Sequence, residues 1–282
     1  MTDYYTQVAE AAEALKDKLD GRKPRIGLIL GSGLGDLANE VANAVTVPYG
    51  ELPHFPVSTV EGHAGQFVAG ELAGKQVIVM QGRFHYYEGY PMRKVVFPVY
   101  VLKLLGINSL VVTNAAGGMN RSFAPGDLMI ITDHINMTGD NPLIGVNDPR
   151  LGVRFPDMST AYDAEYRALL QRLANAVKDP DGQPLRLVEG VYCGISGPTY
   201  NTPAELKMLA RAGGDAVGMS TVAETIAARH AGMRVAGISC ITDMAIGEEL
   251  EPLTHEQVMA VANRTKPKFK ELVRAFVREV EV

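Results

Sequence analysis

Six short stretches of the chain carry residues able to do chemistry, and each follows an apolar run: "GSGLG" (31–35), "GRFHYYEGY" (82–90), "NAAGGM" (114–119), "SGPTYNTPAE" (196–205), "STVAETIAARH" (220–230) and "DMAIGEE" (243–249). In "GSGLG" the glycines let backbone N–H groups converge, and Ser32 adds a hydroxyl donor. That is the make-up of an anion nest, although a plain tight turn would use the same residues. In "GRFHYYEGY", Arg83 and His85 are two apart and point the same way if the chain is extended. Arg83 offers a planar fork suited to phosphate oxygens, while an exposed basic turn is the simpler reading. Ser220 stands where a helix N-cap belongs, and helix N-termini also hold anions. Three separate turns thus offer Ser, Arg with His, and Ser, and each set suits an oxyanion. Asp243 raises a different question. It ends the apolar run "GISCIT" and precedes Met244, Ala245 and Ile246, and a buried carboxylate needs a partner. A backbone N–H in a strand-to-helix turn is the local candidate.

These residues need a scaffold that brings them together. "RIGLIL" (25–30), "QVIVMQ" (76–81), "SLVVTN" (109–114), "DLMIIT" (127–132), "LRLVEGVYC" (185–193), "DAVGM" (215–219) and "RVAGISCIT" (234–242) are continuous apolar runs, the mark of strands buried on both faces. Helical spacing occupies 6–19, about 92–105, 163–177, 203–213 and 221–232, and about 255–280. Alternating strands and helices predict one α/β domain over residues 1–282, with a mixed, mostly parallel central sheet flanked by helices. In such sheets ligands bind where the strands end, which puts the six stretches on one rim. Residues 133–160, rich in Gly, Pro, Asn and Asp, predict a long functional loop that covers a site or meets a partner subunit.

Composition narrows the classes. With 282 residues, 46% hydrophobic and 21% charged, the chain can build a normal core. A net charge of −5 with no long basic run argues against nucleic acid as a partner. The six histidines are scattered, with no H-E-x-x-H and no C-x-x-C, so no metal site is expected. Cys193 and Cys240 lie in apolar runs and are expected to be buried thiols rather than nucleophiles. No signal core or membrane-length apolar stretch is present, which predicts a cytoplasmic protein without a membrane partner. "GSGLG" is not G-x-G-x-x-G, since Asp36 fills the last slot, and it lacks the Lys-Ser/Thr of a P-loop. A dinucleotide-binding dehydrogenase is therefore disfavoured. The residues alone point to an enzyme that binds a phosphate without a metal.

Beyond that reading, "LILGSGLG", "EGHAGQF", "GRFHYYEGY", "VTNAAGGMN", "FPDMSTAYD", "GPTYNTPAE" and "DAVGMSTVAETIAARHAGMRV" resemble, in order and over nearly the whole chain, the trimeric low-molecular-mass purine nucleoside phosphorylases. The resemblance implies a phosphorylase/hydrolase-like fold. It implies a pentosyltransferase of purine salvage that cleaves purine nucleosides with inorganic phosphate as co-substrate, giving the base and ribose 1-phosphate. No cofactor is implied. Carried over by motif, phosphate would meet Ser32, Arg83, His85, Ser220 and the N–H of Ala115. Ribose would meet Tyr87, Met219, His255 and a neighbouring subunit's Phe155, which implies a homotrimer. The base would meet Tyr200, Asn201 and Asp243, with His63 near the entrance. His85, Asn201 and Asp243 would carry the catalysis.

Two positions depart from the family's commonest pattern. Members acting on 6-oxopurines carry Glu at the Asn201 position and Asn at the Asp243 position. Adenine has no N1 proton, so Asn201 can donate to N1, and its 6-amino group can donate to Asp243. A protonated Asp243 could instead donate to N7 or O6. The expectation is that adenosine is accepted, alongside inosine or guanosine. A methylthioadenosine phosphorylase is the near alternative, disfavoured because His255 suits a 5′-hydroxyl. A non-catalytic nucleoside- or phosphate-binding protein is the alternative outside the family.

Overall fold

The computed structural model describes residues 3–59, 64–178, 182 and 185–282. Strand β1 (Ile26–Leu30) is buried at every position, and its side chains divide by parity between two layers. Ile26, Leu28 and Leu30 join one apolar cluster and Ile29 the other. Gly27 leaves room on that second side for Leu110. This is the period-two pattern of a strand covered on both faces.

Eight further strands follow among the described residues: β2 (Ala42–Pro48), β3 (Gln66–Leu72), β4 (Lys75–Gln81), β5 (Ser109–Gly118), β6 (Leu128–Met137), β7 (Leu187–Ile195), β8 (Ala216–Gly218) and β9 (Arg234–Met244). They form one sheet in the order β2-β3-β4-β1-β5-β8-β7-β6-β9. β9 also pairs with β5, in register from Ser109 against Arg234 to Gly118 against Met244. β5, β8, β7, β6 and β9 therefore close into a five-stranded ring, and β1 to β4 continue as an open wing. Pairings β1–β4, β1–β5, β5–β9, β6–β7 and β7–β8 are parallel. Those of β2–β3, β3–β4, β5–β8 and β6–β9 are antiparallel.

Helices cover both sides. α1 (Tyr4–Lys18), α2 (Met92–Val95), α3 (Phe97–Leu104) and α6 (Val222–His230) pack on the Ile29 side, whereas α4 (Ala164–Ala176) and α7 (His255–Glu279) pack on the Leu28 side. α5 (Pro203–Arg211) buries Leu206 and Leu209 in a smaller cluster with Met119, Cys193 and Val217. Both cysteines are buried thiols, and burial pushes each up to about 11.

Three departures from the sequence expectation have physical reasons. β2 and β3 were not expected: β2 is largely exposed, so it carries no continuous apolar run. The helix expected over 92–105 is two, broken at Val96, because Pro98 has no N–H for the carbonyl four residues back. Of segment 133–160, residues 133–137 extend β6. The remainder is irregular, and its Asn and Asp side chains hold backbone turns. Asn141 accepts from the Leu143 N–H at 2.9 Å, Asp148 from Arg150 at 3.0 Å and Asp157 from Ser159 at 3.0 Å.

Candidate active site

A cavity of about 330 Å³ opens where β1, β4, β5, β8 and β9 end, and it gathers all but two of the residues singled out from sequence. Ser32, Arg83, His85, Ala115 and Ser220 line it, as do Tyr87, Met219, His255, Tyr200, Asn201 and Asp243. Phe155 does not; it lies on the long loop with 88% of its surface exposed. His63 lies outside the described residues.

The turn bearing Ser32 is fixed by backbone contact. The Gly31 N–H donates to the Thr113 hydroxyl at 3.1 Å. A Cβ on Gly31 would sit 2.7 Å from the Asn114 Cα, so no larger residue fits. Gly33 then takes a φ of 75°, and a Cβ there would stand 2.6 Å from that of Ala262 on α7.

Arg83 is fully enclosed, and most of its fork is engaged. Nε and Nη2 donate to the two carboxylate oxygens of Glu224 at 2.9 and 2.6 Å, and Nη1 donates to the Thr113 carbonyl. The fork that the sequence reading reserved for phosphate is therefore shared with a buried carboxylate. His85 is treated likewise. Its Nδ1 lies 3.2 Å from Glu88, whose carboxylate also accepts from the His85 backbone N–H at 2.7 Å. Burial opposes the charge of Glu88, but hydrogen bonds from His85 and Thr59 outweigh it and hold the carboxyl at about 2. Glu88 thus fixes the orientation of the ring. Tyr87 stacks on the other side of His85, with centroids 4.7 Å apart, and burial pushes its hydroxyl up to about 12.

Ser220 is not the helix N-cap. Thr221 holds that position, with a φ of 72° that non-glycine residues rarely adopt. The Thr221 hydroxyl accepts from the Asn114 amide at 2.9 Å and lies 3.1 Å from the Ser220 hydroxyl. Ser220 is thereby offered to the cavity two residues ahead of α6, whose dipole favours negative charge nearby.

Asp243 is not in a strand-to-helix turn. It lies within β9, opposite Gly117 of β5, and its partner is the Thr242 hydroxyl at 2.8 Å rather than a backbone N–H. No cation pairs with it among the described residues. Burial raises its carboxyl above the ordinary range, against the Thr242 hydrogen bond. Gly117 makes the space, since a Cβ there would stand 3.0 Å from Asp243 Oδ2. Tyr200, half exposed at the rim, is raised by burial and then by Asp243. Asn201 stands before the capping box of α5, with its amide 3.4 Å from Glu205.

Sequence reading passed over Glu88, Asn114, Thr221 and Glu224. Glu88 had a local signal, three residues after His85 in the same short turn. Glu224 had none, because its partner is 141 residues away.

The arrangement is a set of oxyanion donors beside a half-buried acid and amide, in a pocket of nucleoside size. The model of the phosphorylase superfamily matches residues 25–278. The chain is 58% identical over 275 residues to purine nucleoside phosphorylase 1 of Geobacillus stearothermophilus, covering 98% of each. The fold matches a purine nucleoside phosphorylase of Schistosoma mansoni solved in complex with adenosine, at a TM-score of 0.91 and 40% identity over 98% of both chains. It matches a Schistosoma mansoni purine nucleoside phosphorylase solved in complex with inosine at a TM-score of 0.91 and 39% identity, over 98% of this chain and 97% of that one. With that likeness over its full length, the chain belongs to the phosphorylase superfamily and, within it, to the purine nucleoside phosphorylases.

Proposed function

We propose that this enzyme cleaves purine nucleosides by attack of orthophosphate on C1′, and that its preferred base is a 6-aminopurine. The reading is carried by one observation: Ser32, Arg83, His85, Ala115 and Ser220 line the same cavity as Asn201 and Asp243. Phosphate is held by the two hydroxyls, the Ala115 N–H, Arg83 and the His85 ring. Ribose lies over it against Tyr87 and Met219, with His255 at the 5′-hydroxyl. As the glycosidic bond lengthens, positive charge grows on the sugar and negative charge on the purine. The bound anion stabilises the first and then forms the new C1′–O bond. Pre-oriented donors keep the reorganisation small. Phosphate is the second substrate, and the chemistry described needs no further cofactor.

At the base, Asn201 donates to N1 of adenine. A neutral Asp243 presents a hydroxyl donor and a carbonyl acceptor, which match N7 and the 6-amino group together. Burial, which raises this carboxyl, favours that form. Proton donation at N7 also neutralises the leaving base. The same acid form can donate to O6, which supports inosine and guanosine as poorer substrates.

The test is a panel of adenosine, inosine and guanosine with and without phosphate, for wild type and Asp243→Asn. Wild type is expected to favour adenosine, and the variant to shift towards inosine by about tenfold or more, the scale of one mismatched polar group. Neglect of adenosine by the wild type would end the 6-amino reading and leave phosphorolysis standing.

A further inference from the structure

We propose that Glu224 is a positioning residue for phosphate, acting through Arg83; the inference rests on phosphate occupying the donor set described above. Arg83 is 1% exposed and Glu224 3%, so the ion pair is out of water, where geometry decides its worth. The Glu224 contacts at 2.9 and 2.6 Å fix the guanidinium plane from one edge, and the Thr113 carbonyl fixes Nη1. The plane in which the guanidinium can meet an anion is thereby set.

Glu224 also sits in the first turn of α6, where a carboxylate is favoured, and Ser220 lies just ahead of that helix. One helix start therefore sets both a hydroxyl donor and the plane of the arginine. Its neighbours on the same wall, His85, Ser220 and Thr221, are themselves tied down by hydrogen bonds. A second consequence concerns charge. Glu224 already offsets Arg83, and Glu88 stands against His85, so the anion meets oriented donors rather than a strong net positive field. The site then selects phosphate by the directions of its hydrogen bonds more than by attraction.

The test is steady-state kinetics with phosphate and nucleoside varied separately, for wild type, Glu224→Gln, Glu224→Asp, Arg83→Gln and the double variant Arg83→Gln/Glu224→Gln. Glu224→Gln is expected to raise KM for phosphate about tenfold or more, the scale of a lost charge-assisted hydrogen bond, with KM for nucleoside within about twofold. Glu224→Asp, which keeps the charge on a shorter arm, should fall between it and wild type. On the Arg83→Gln background, Glu224→Gln should add nothing, because the arginine it orients is gone. If Glu224→Gln is too unstable for kinetics, the Glu224→Asp rise in phosphate KM alone carries the test. An unchanged phosphate KM, an equal rise for both substrates, or the same factor on both backgrounds overturns the inference. Turnover by the wild type without phosphate would instead overturn the reading on which it rests.

Discussion

Asp243 is held where a carboxylate is costly, and that cost is measurable. Its folded-state pKa lies above the unfolded value of about 3.9, so the native state holds the proton more tightly. Folding stability therefore falls as pH rises through the ordinary carboxylate range and on through the raised pKa. Asp243→Asn cannot ionise. It is expected to melt about 2–4 °C above unliganded wild type at pH 7, with the gap closing at acid pH. Scans at both pH values check this; identical melting at neutral pH would mean that the carboxyl bears no such cost. Adenosine turnover depends on the same proton. It should decline as pH rises past the Asp243 pKa, and Asp243→Asn should flatten that limb. The identity of Asp243 and Asn201 was legible in the chain, but the environment was not. The Thr242 hydroxyl belongs to the preceding residue, but the space over Gly117 comes from β5 meeting β9, a contact that no local pattern encodes. For the same reason Glu224 passed unnoticed, since only the fold brings it to Arg83.

At the level of elements, most of the buried strands announce themselves, while the exposed edge strand β2 and its partner β3 do not. Continuous apolar runs gave β1, β4 and the starts of β5, β6 and β9. The runs stop short of the strand ends, because β5 finishes in the small residues Ala115, Ala116, Gly117 and Gly118, while β6 and β9 finish among polar ones such as Asp133, Asn136 and Asp243. β2 and β3 went unseen, yet "ELAGK" held a clue: Ala73 and Gly74 join β3 to β4 at φ of 50° and 84°, a two-residue hairpin turn. Close approach between elements yields a firm expectation at Gly31. Gly31→Ala would drive the Ser32 turn away from β5, costing about 1–3 kcal/mol and most phosphate affinity. Chemical denaturation and phosphate KM check it, and wild-type values for both would contradict the packing described. Gly152 is the equivalent on the long loop. Its backbone lies against the His230 carbonyl at the end of α6, and the His230 ring lies 3.1 Å from Asn147 of the same loop.

For the whole molecule, the long loop presents Ile144, Val146, Val153 and Phe155 with 66%, 87%, 63% and 88% of their surface exposed. An apolar set of that kind on one loop points to a second subunit. A homotrimer with Phe155 reaching the neighbouring ribose site is the assembly proposed. Phe155→Ala should keep the melting behaviour of the isolated fold while raising KM for nucleoside about tenfold, the scale of one lost aromatic contact. Sedimentation of the wild type at a single subunit's mass would remove this explanation. No helix of the described residues is long and apolar enough to cross a membrane.

The most direct measurement is release of free purine from adenosine as phosphate is raised from zero, with the sugar product identified in the same samples. Saturable dependence on phosphate, with one ribose 1-phosphate formed per base and the phosphate KM raised by Arg83→Gln, is the predicted result. Base release at zero phosphate, or free ribose as the product, would contradict it.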